Sequence, residues 1–200
     1  MNPFSIKKRL VTVFCGSSSR VDGHYLEGAR LVGRVLCHNV LGVVYGGGRV
    51  GMMGALADEV LAMGGEIRGV IPRFMIEREW AHPEVQTMDI VSTMTERKTR
   101  MIELGDLVLA LPGGLGTLDE FFEAATLRQL GCLNSPLLLF NHHGYFDHLL
   151  KLREHFRDQA FLADFSEADW QIINDVGALQ NFIEKWLSEQ ALSEVNHASG

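Results

Sequence analysis

Six short runs rich in β-branched and other apolar residues, at 10–15, 40–45, 66–71, 86–91, 106–111 and 136–140, recur along the chain with longer amphipathic stretches between them. Strands separated by helix-length segments cannot pair as hairpins. Each connection must cross back over the sheet, and right-handed crossovers make neighbouring strands parallel. The alternation therefore predicts an α/β fold, with a doubly wound, mainly parallel sheet and helices on both faces. Helices are expected at 23–37, 52–63, 94–104, 117–130, 146–159 and 167–187, with the polar residues 188–200 as a frayed, flexible tail. No linker or internal repeat interrupts the 200 residues, which are read as one domain over 1–187 plus that tail.

Charge narrows the partners. A formal net charge of -7 provides no positive field for nucleic acid or an anionic membrane surface, so neither is expected, and an anionic small substrate needs a local cationic pocket. Cys15, Cys37 and Cys132 are an odd, scattered set without a C-x-x-C pair. They fit neither a disulfide framework nor a zinc site, and point to a reducing compartment, the cytoplasm. The apolar run behind Lys7, Lys8 and Arg9 is too short for a signal-peptide core or a membrane span and reads as the first strand. The histidines include no H-E-x-x-H set, and His142, His143 and His148 read as surface loop and helix start. No metal or other cofactor is expected.

In an open parallel sheet, ligands bind beyond the carboxyl ends of the strands, where the strand order reverses. Three glycine-bearing loops follow strands here: 15–19 with Gly16 and Ser17, 46–51 with Gly46, Gly47, Gly48 and Gly51, and 112–117 with Gly113, Gly114, Gly116 and Thr117. Gly46, Gly48 and Gly51 satisfy G-x-G-x-x-G. The dinucleotide fingerprint, however, follows the first strand and needs an acidic residue at the end of the next; this one follows the second, and the next ends in Ile71-Pro72-Arg73. No Gly-Lys-Ser/Thr completes a Walker loop. The plain alternative is that these glycines only permit a tight turn.

The loop at 112–117 says more, because its glycines expose backbone N–H groups at the start of a helix, where the dipole favours phosphate. Thr117 adds a hydroxyl. Thr117 and Glu120 have capping-box spacing, which is one reading. The other is a Glu120 kept ionised by the helix N-terminus, able to accept a proton from water or to face a developing cation. Arg97 falls on the same helical stripe as Met94, Met101 and Leu104, the apolar side. Arginine there needs an anion: an internal partner such as Asp106, a phosphate, or a catalytic carboxylate. Lys98, at the margin of the stripe, can reach the same anion.

Taken together, Gly46-Gly47-Gly48-Arg49-Val50-Gly51-Met52-Met53-Gly54, Glu96-Arg97-Lys98 and Pro112-Gly113-Gly114-Leu115-Gly116-Thr117-Leu118-Asp119-Glu120 resemble the LOG family of cytokinin riboside 5′-monophosphate phosphoribohydrolases. The resemblance spans residues 11–162 and includes Val13-Phe14-Cys15-Gly16-Ser17-Ser18, Gln129-Leu130-Gly131 and the segment 141–147. It implies a Rossmann-like fold, a homodimer whose interface contributes to the active site, and hydrolysis of plain or N6-modified adenosine 5′-monophosphates. Arg97 and Glu120 match the family's catalytic pair. Lys98, Gly113, Gly114, Gly116 and Thr117 match its phosphate and ribose contacts, and Glu79 and Thr126 resemble further substrate contacts. Leu127 stands where the family has a common tryptophan and Thr95 where it has a common histidine, and the stretch 74–83 departs from the usual wording. These departures bear on base preference more than on reaction type. Family members have also carried the label lysine decarboxylase, but none of the lysines here has a persuasive pyridoxal-phosphate setting.

Breaking a ribosyl C–N bond builds oxocarbenium character at C1′, which a carboxylate stabilises while activating water. The expected roles are Glu120 as that carboxylate, the loop at 112–117 as phosphate anchor, and Arg97 as the group orienting both. Two alternatives stay open. One is a nucleosidase indifferent to the base, the other a nucleotide or cofactor carrier, as in the related molybdenum-cofactor carriers. An NAD-dependent oxidoreductase ranks below both for want of the acidic residue.

Overall fold

Successive side chains leave a strand on opposite faces, so Val11, Val13 and Cys15 join one apolar layer while Phe14 joins the other. Unbroken apolar strands of this kind require a parallel sheet covered on both sides. The computed structural model describes residues 8–78, 80–162 and 170–198. Within them, β1 (Leu10–Phe14), β2 (Gly42–Tyr45), β3 (Ile67–Pro72), β4 (Thr87–Val91), β5 (Leu107–Ala110), β6 (Leu137–Phe140) and β7 (Gln171–Ile173) form one sheet in the order β4-β3-β2-β1-β5-β6-β7. Every pairing is parallel.

On one face lie α1 (Gly23–His38), α2 (Gly51–Ala62) and α7 (Val176–Ala198), which bury Val32, Leu36, Leu56, Val60, Leu179 and Ile183. On the other lie α4 (Met94–Leu104), α5 (Leu115–Gln129) and α6 (Asp147–Asp158), with Met101, Phe121 and Ala124 fully enclosed. Each fully buried large side chain contributes about 1.5–3 kcal/mol of transfer free energy. The five-residue α3 (Arg73–Glu77) opens a crossover between β3 and β4.

The six predicted strands are present, with ends displaced by a residue or two. Residues 167–187, expected as one helix, divide instead: β7 pairs with β6 in the register Leu138↔Gln171 to Phe140↔Ile173, and α7 begins at Val176. The first part of that expected helix, 167–169, lies outside the described residues. A three-residue strand has no readable period, and Ile172 and Ile173 become a strand because the edge of β6 supplies the partner. α7 runs on to Ala198, with Ser188 Oγ donating to Glu184 O (2.8 Å) and Glu194 paired to Arg9.

The chain builds outward from β1 to β4, then returns to place β5 on the other side of β1. The strand order thus reverses between β1 and β5, and the loops at 15–19, 46–51 and 112–117 leave the carboxyl ends of β1, β2 and β5 around that reversal.

Candidate active site

The three loops are tied to one another. Gly16 N donates to Pro112 O (3.0 Å), and Gly16 O accepts from Met52 N (3.0 Å) at the start of α2. Gly51 has φ +64, and a Cβ there would lie 2.6 Å from Ser18 O, so the close approach of two loops requires glycine. Between the loops opens a cleft of about 600 Å³. Gly16, Ser17, Gly46 and Gly48 line it from one side of the reversal, and Gly113, Gly114, Gly116 and Thr117 from the other. Gly47 and Gly51 turn their loop with positive φ but do not line the cleft.

Arg97 and Glu120 also border the cleft, each only 4% exposed. Each nitrogen of the guanidinium has an internal acceptor: Nε donates to Val70 O (3.0 Å), one terminal nitrogen to Glu120 Oε1 (2.5 Å) and the other to Gly46 O (3.2 Å). A Cβ on Gly46 would lie 1.9 Å from that last nitrogen, so the glycine makes room for the arginine. Asp106, the internal partner considered from the sequence, instead accepts from Leu10 N (2.8 Å). The anion met by Arg97 is therefore the carboxylate.

Burial raises the pKa of Glu120 above its ordinary 4.5; the charge and hydrogen bond of Arg97 pull it back in part, Asp119 adds to the rise and Lys98 opposes it. Cys15, which also lines the cleft, is fully buried, and burial together with Glu120 pushes its thiol far above the usual range. It is held as a thiol and does not offer a nucleophile.

The capping-box reading of Thr117 and Glu120 is corrected: α5 starts at Leu115, its N-cap is Gly114 with no side-chain cap, and Thr117 and Glu120 are both buried. Glu120 sits beyond the first turn, so Arg97, not the helix N-terminus, is the positive charge that faces it. Lys98 lines no part of the cleft. Its ammonium lies 2.6 Å from Glu123 and 3.0 Å from Asp119, with its pKa raised first by Glu123 and then by Asp119. Among the described residues no group of three or more His, Cys, Asp and Glu is arranged to hold a metal ion, and no helix is long and apolar enough to cross a membrane.

Residues 53–191 match a family model described as "Possible lysine decarboxylase". A cytokinin riboside 5′-monophosphate phosphoribohydrolase of Rhodococcoides fascians is 40% identical over 167 residues, covering 83% of this chain and 84% of that protein. The Arabidopsis thaliana phosphoribohydrolase LOG7 is 38% identical over 153 residues, covering 76% and 70%. The chain belongs to the LOG family. The decarboxylase wording of the LOG family model finds no support in Lys98, since a lysine that forms an imine needs a lowered pKa and this one is raised.

Solved structures of low sequence identity share the fold. A molybdenum cofactor binding protein from Rippkaea orientalis superposes with a TM-score of 0.70 at 18% identity, covering 92% of this chain and 99% of that one. The molybdenum cofactor carrier protein of Chlamydomonas reinhardtii gives 0.69 at 17%, covering 91% and 99%. At such identities the likeness is one of Rossmann-like architecture.

Of the remaining LOG-type positions, Glu79 lies outside the described residues. Thr126 is exposed on α5, away from the cleft, with its hydroxyl donating to Phe122 O (2.8 Å). The structure also brings Met53, Met75, Trp80, Tyr25 and Tyr145 to the cleft, none of which was singled out from the sequence. Trp80 comes from the stretch that departs from the LOG wording and Tyr145 from the LOG-like segment 141–147. Those were the signals that pointed to them.

Proposed function

We propose that this protein hydrolyses the N-glycosidic bond of adenosine 5′-monophosphates, N6-modified ones included, to free base and ribose 5-phosphate. The observation that carries the reading is the buried Arg97–Glu120 pair bordering a cleft whose other wall is the glycine-rich start of α5. The N–H groups of Leu115, Gly116 and Thr117, in the first helical turn, lack intrahelical acceptors and suit the 5′-phosphate. Anchored there, the ribose presents C1′ toward Glu120. As the C–N bond breaks and its electron pair leaves with the base, positive charge grows on the ribosyl carbon. Glu120 faces that charge and takes a proton from the attacking water, whose oxygen forms the new bond to C1′. Each guanidinium nitrogen of Arg97 already serves an internal acceptor, Glu120 among them, so its role in this reading is to hold Glu120. Met53, Met75 and Trp80 add apolar surface that suits a purine and an apolar N6 substituent.

The enzyme works as a cytoplasmic homodimer in this reading. Phe122 and Thr126 on α5 and Leu130 at its C-cap recur every fourth residue, and Phe122 and Leu130 are 41% and 69% exposed. Apolar surface around Thr126, turned away from its own cleft, supports a partner copy to which Thr126 is the substrate contact. Three unpaired cysteines suit a reducing compartment.

The test is to incubate the protein with AMP and with isopentenyladenosine monophosphate beside a folded Glu120→Gln variant, following base and ribose 5-phosphate by chromatography. Release by the wild type is expected to fall roughly a hundred- to ten-thousand-fold in the variant. Near-wild-type turnover by the variant would remove Glu120 from the chemistry, and nucleotide binding without release by either protein would favour a carrier.

A further inference from the structure

The segment 141–147 plays no part in the scheme above, yet it is a closely hydrogen-bonded turn beside the cleft. Asn141 is buried and bonded on every side. Its Oδ1 accepts from Phe146 N (2.7 Å), its Nδ2 donates to Asp147 Oδ1 (2.8 Å), its backbone N–H donates to Ile173 O (2.8 Å), and its carbonyl accepts from Gly144 N (3.1 Å). Within the turn His143 (φ 52) and Gly144 (φ 71) are left-handed, a conformation that a histidine keeps when its surroundings impose it. What this construction fixes is Tyr145. Its ring meets Tyr25 edge-on at 5.4 Å, both rings line the cleft, and its hydroxyl donates to Gly113 O at 2.7 Å.

Gly113 O belongs to the peptide joining Gly113 to Gly114. A trans peptide is planar, with its N–H opposed to its carbonyl, so holding the oxygen on Tyr145 also fixes the direction of the Gly114 N–H. Glycine on both sides of that peptide leaves it free to rotate unless something restrains it. Gly114 is the N-cap of α5 and brings no capping side chain, so its N–H adjoins the unpaired donors of the first turn. Gly16 N restrains the preceding carbonyl, Pro112 O, and Tyr145 restrains the next.

We infer that Tyr145 is a positioning residue for phosphate recognition: its hydroxyl holds the Gly113–Gly114 peptide in the orientation in which the Gly114 N–H joins the first turn of α5 around the substrate's 5′-phosphate. The inference rests on the phosphate reading of this loop in the proposed reaction. Tyr145 acts through the loop and not on the reacting atoms, so its effect belongs in binding and should depend on the phosphate.

Tyr145→Phe keeps the ring and its packing on Tyr25 and removes one donor. The variant is compared with the wild type for KM and kcat on AMP, for kcat/KM on adenosine, and for the Kd of inorganic phosphate by calorimetric titration. KM for AMP and Kd for phosphate are expected to rise together by about three- to tenfold, the effect of one net hydrogen bond, with kcat within about twofold and adenosine unaffected. An unchanged phosphate Kd, a wild type that does not bind phosphate, or an equal loss on AMP and adenosine would overturn the role. The titration needs no turnover. A phosphate Kd that shifts in the variant while the wild type releases no base would sustain Tyr145 and sink the hydrolase; intact hydrolysis with an unmoved Kd would do the reverse.

Discussion

Arg97 turns each nitrogen of its guanidinium to an internal acceptor, the Val70 carbonyl within β3, the Gly46 carbonyl just past β2 and Glu120, and the last of these helps decide how the site responds to pH. Burial raises Glu120 more than Arg97 and Lys98 lower it. If Glu120 accepts the proton from water, kcat/KM is expected to fall on the acid side with an apparent pKa above the ordinary glutamate value of 4.5. A rate profile from about pH 4 to 8 checks this, and a limb at or below the ordinary value would contradict it. The sign for stability runs the other way. A folded pKa above the unfolded one gives a contribution that is full below 4.5 and lost as pH rises through the folded value. The ionised base is thus held at some cost to the fold, which the charge and hydrogen bond of Arg97 offset only in part. From the sequence, Arg97 was legible as an arginine in need of an anion because three neighbours on its helical stripe are apolar. Its choice of Glu120 over Asp106 was not legible, since it depends on α4 and α5 meeting across the ends of β3 and β2.

Among the elements, α5 and α7 show opposite limits of pattern reading. The start of α5 carries capping-box spacing, yet the backbone places the N-cap at Gly114 and turns Thr117 and Glu120 inward, because the loop from β5 is tied to Gly16 before the helix begins. In α7 the apolar residues that matter, Leu179, Ile183 and Trp186, all precede residue 188 and sit in the core. Beyond them the contacts include the Ser188 hydroxyl on Glu184 O and the Glu194 pair with Arg9, the latter a surface contact worth about 0–1 kcal/mol. We therefore expect residues 1–187 to fold as one unit. Removing 188–200 should lower Tm by no more than about 2–4 °C, the shift for roughly 1 kcal/mol in a chain of this size. Calorimetry on the shortened chain checks this, and loss of its cooperative transition would make the end of α7 part of the core.

For the whole molecule, the exposed stripe of Phe122, Thr126 and Leu130 makes self-association the expected state. Light scattering should report twice the mass of one chain, and Phe122→Glu should give monomers that keep their fold and lose activity if a partner's Thr126 completes each site. A wild-type monomer with full activity would end that reading. The α/β alternation, the parallel sheet and the three glycine loops could be deduced from the chain alone, since each is written in the spacing of neighbouring residues and in the backbone freedom of glycine. Tertiary structure decided what the loops enclose. Arg97 meets Glu120 across 23 residues, Tyr145 meets Gly113 across 32 and Arg97 meets Gly46 across 51. These contacts exist because the strand order reverses beside β1, and no local period along the chain records a reversal.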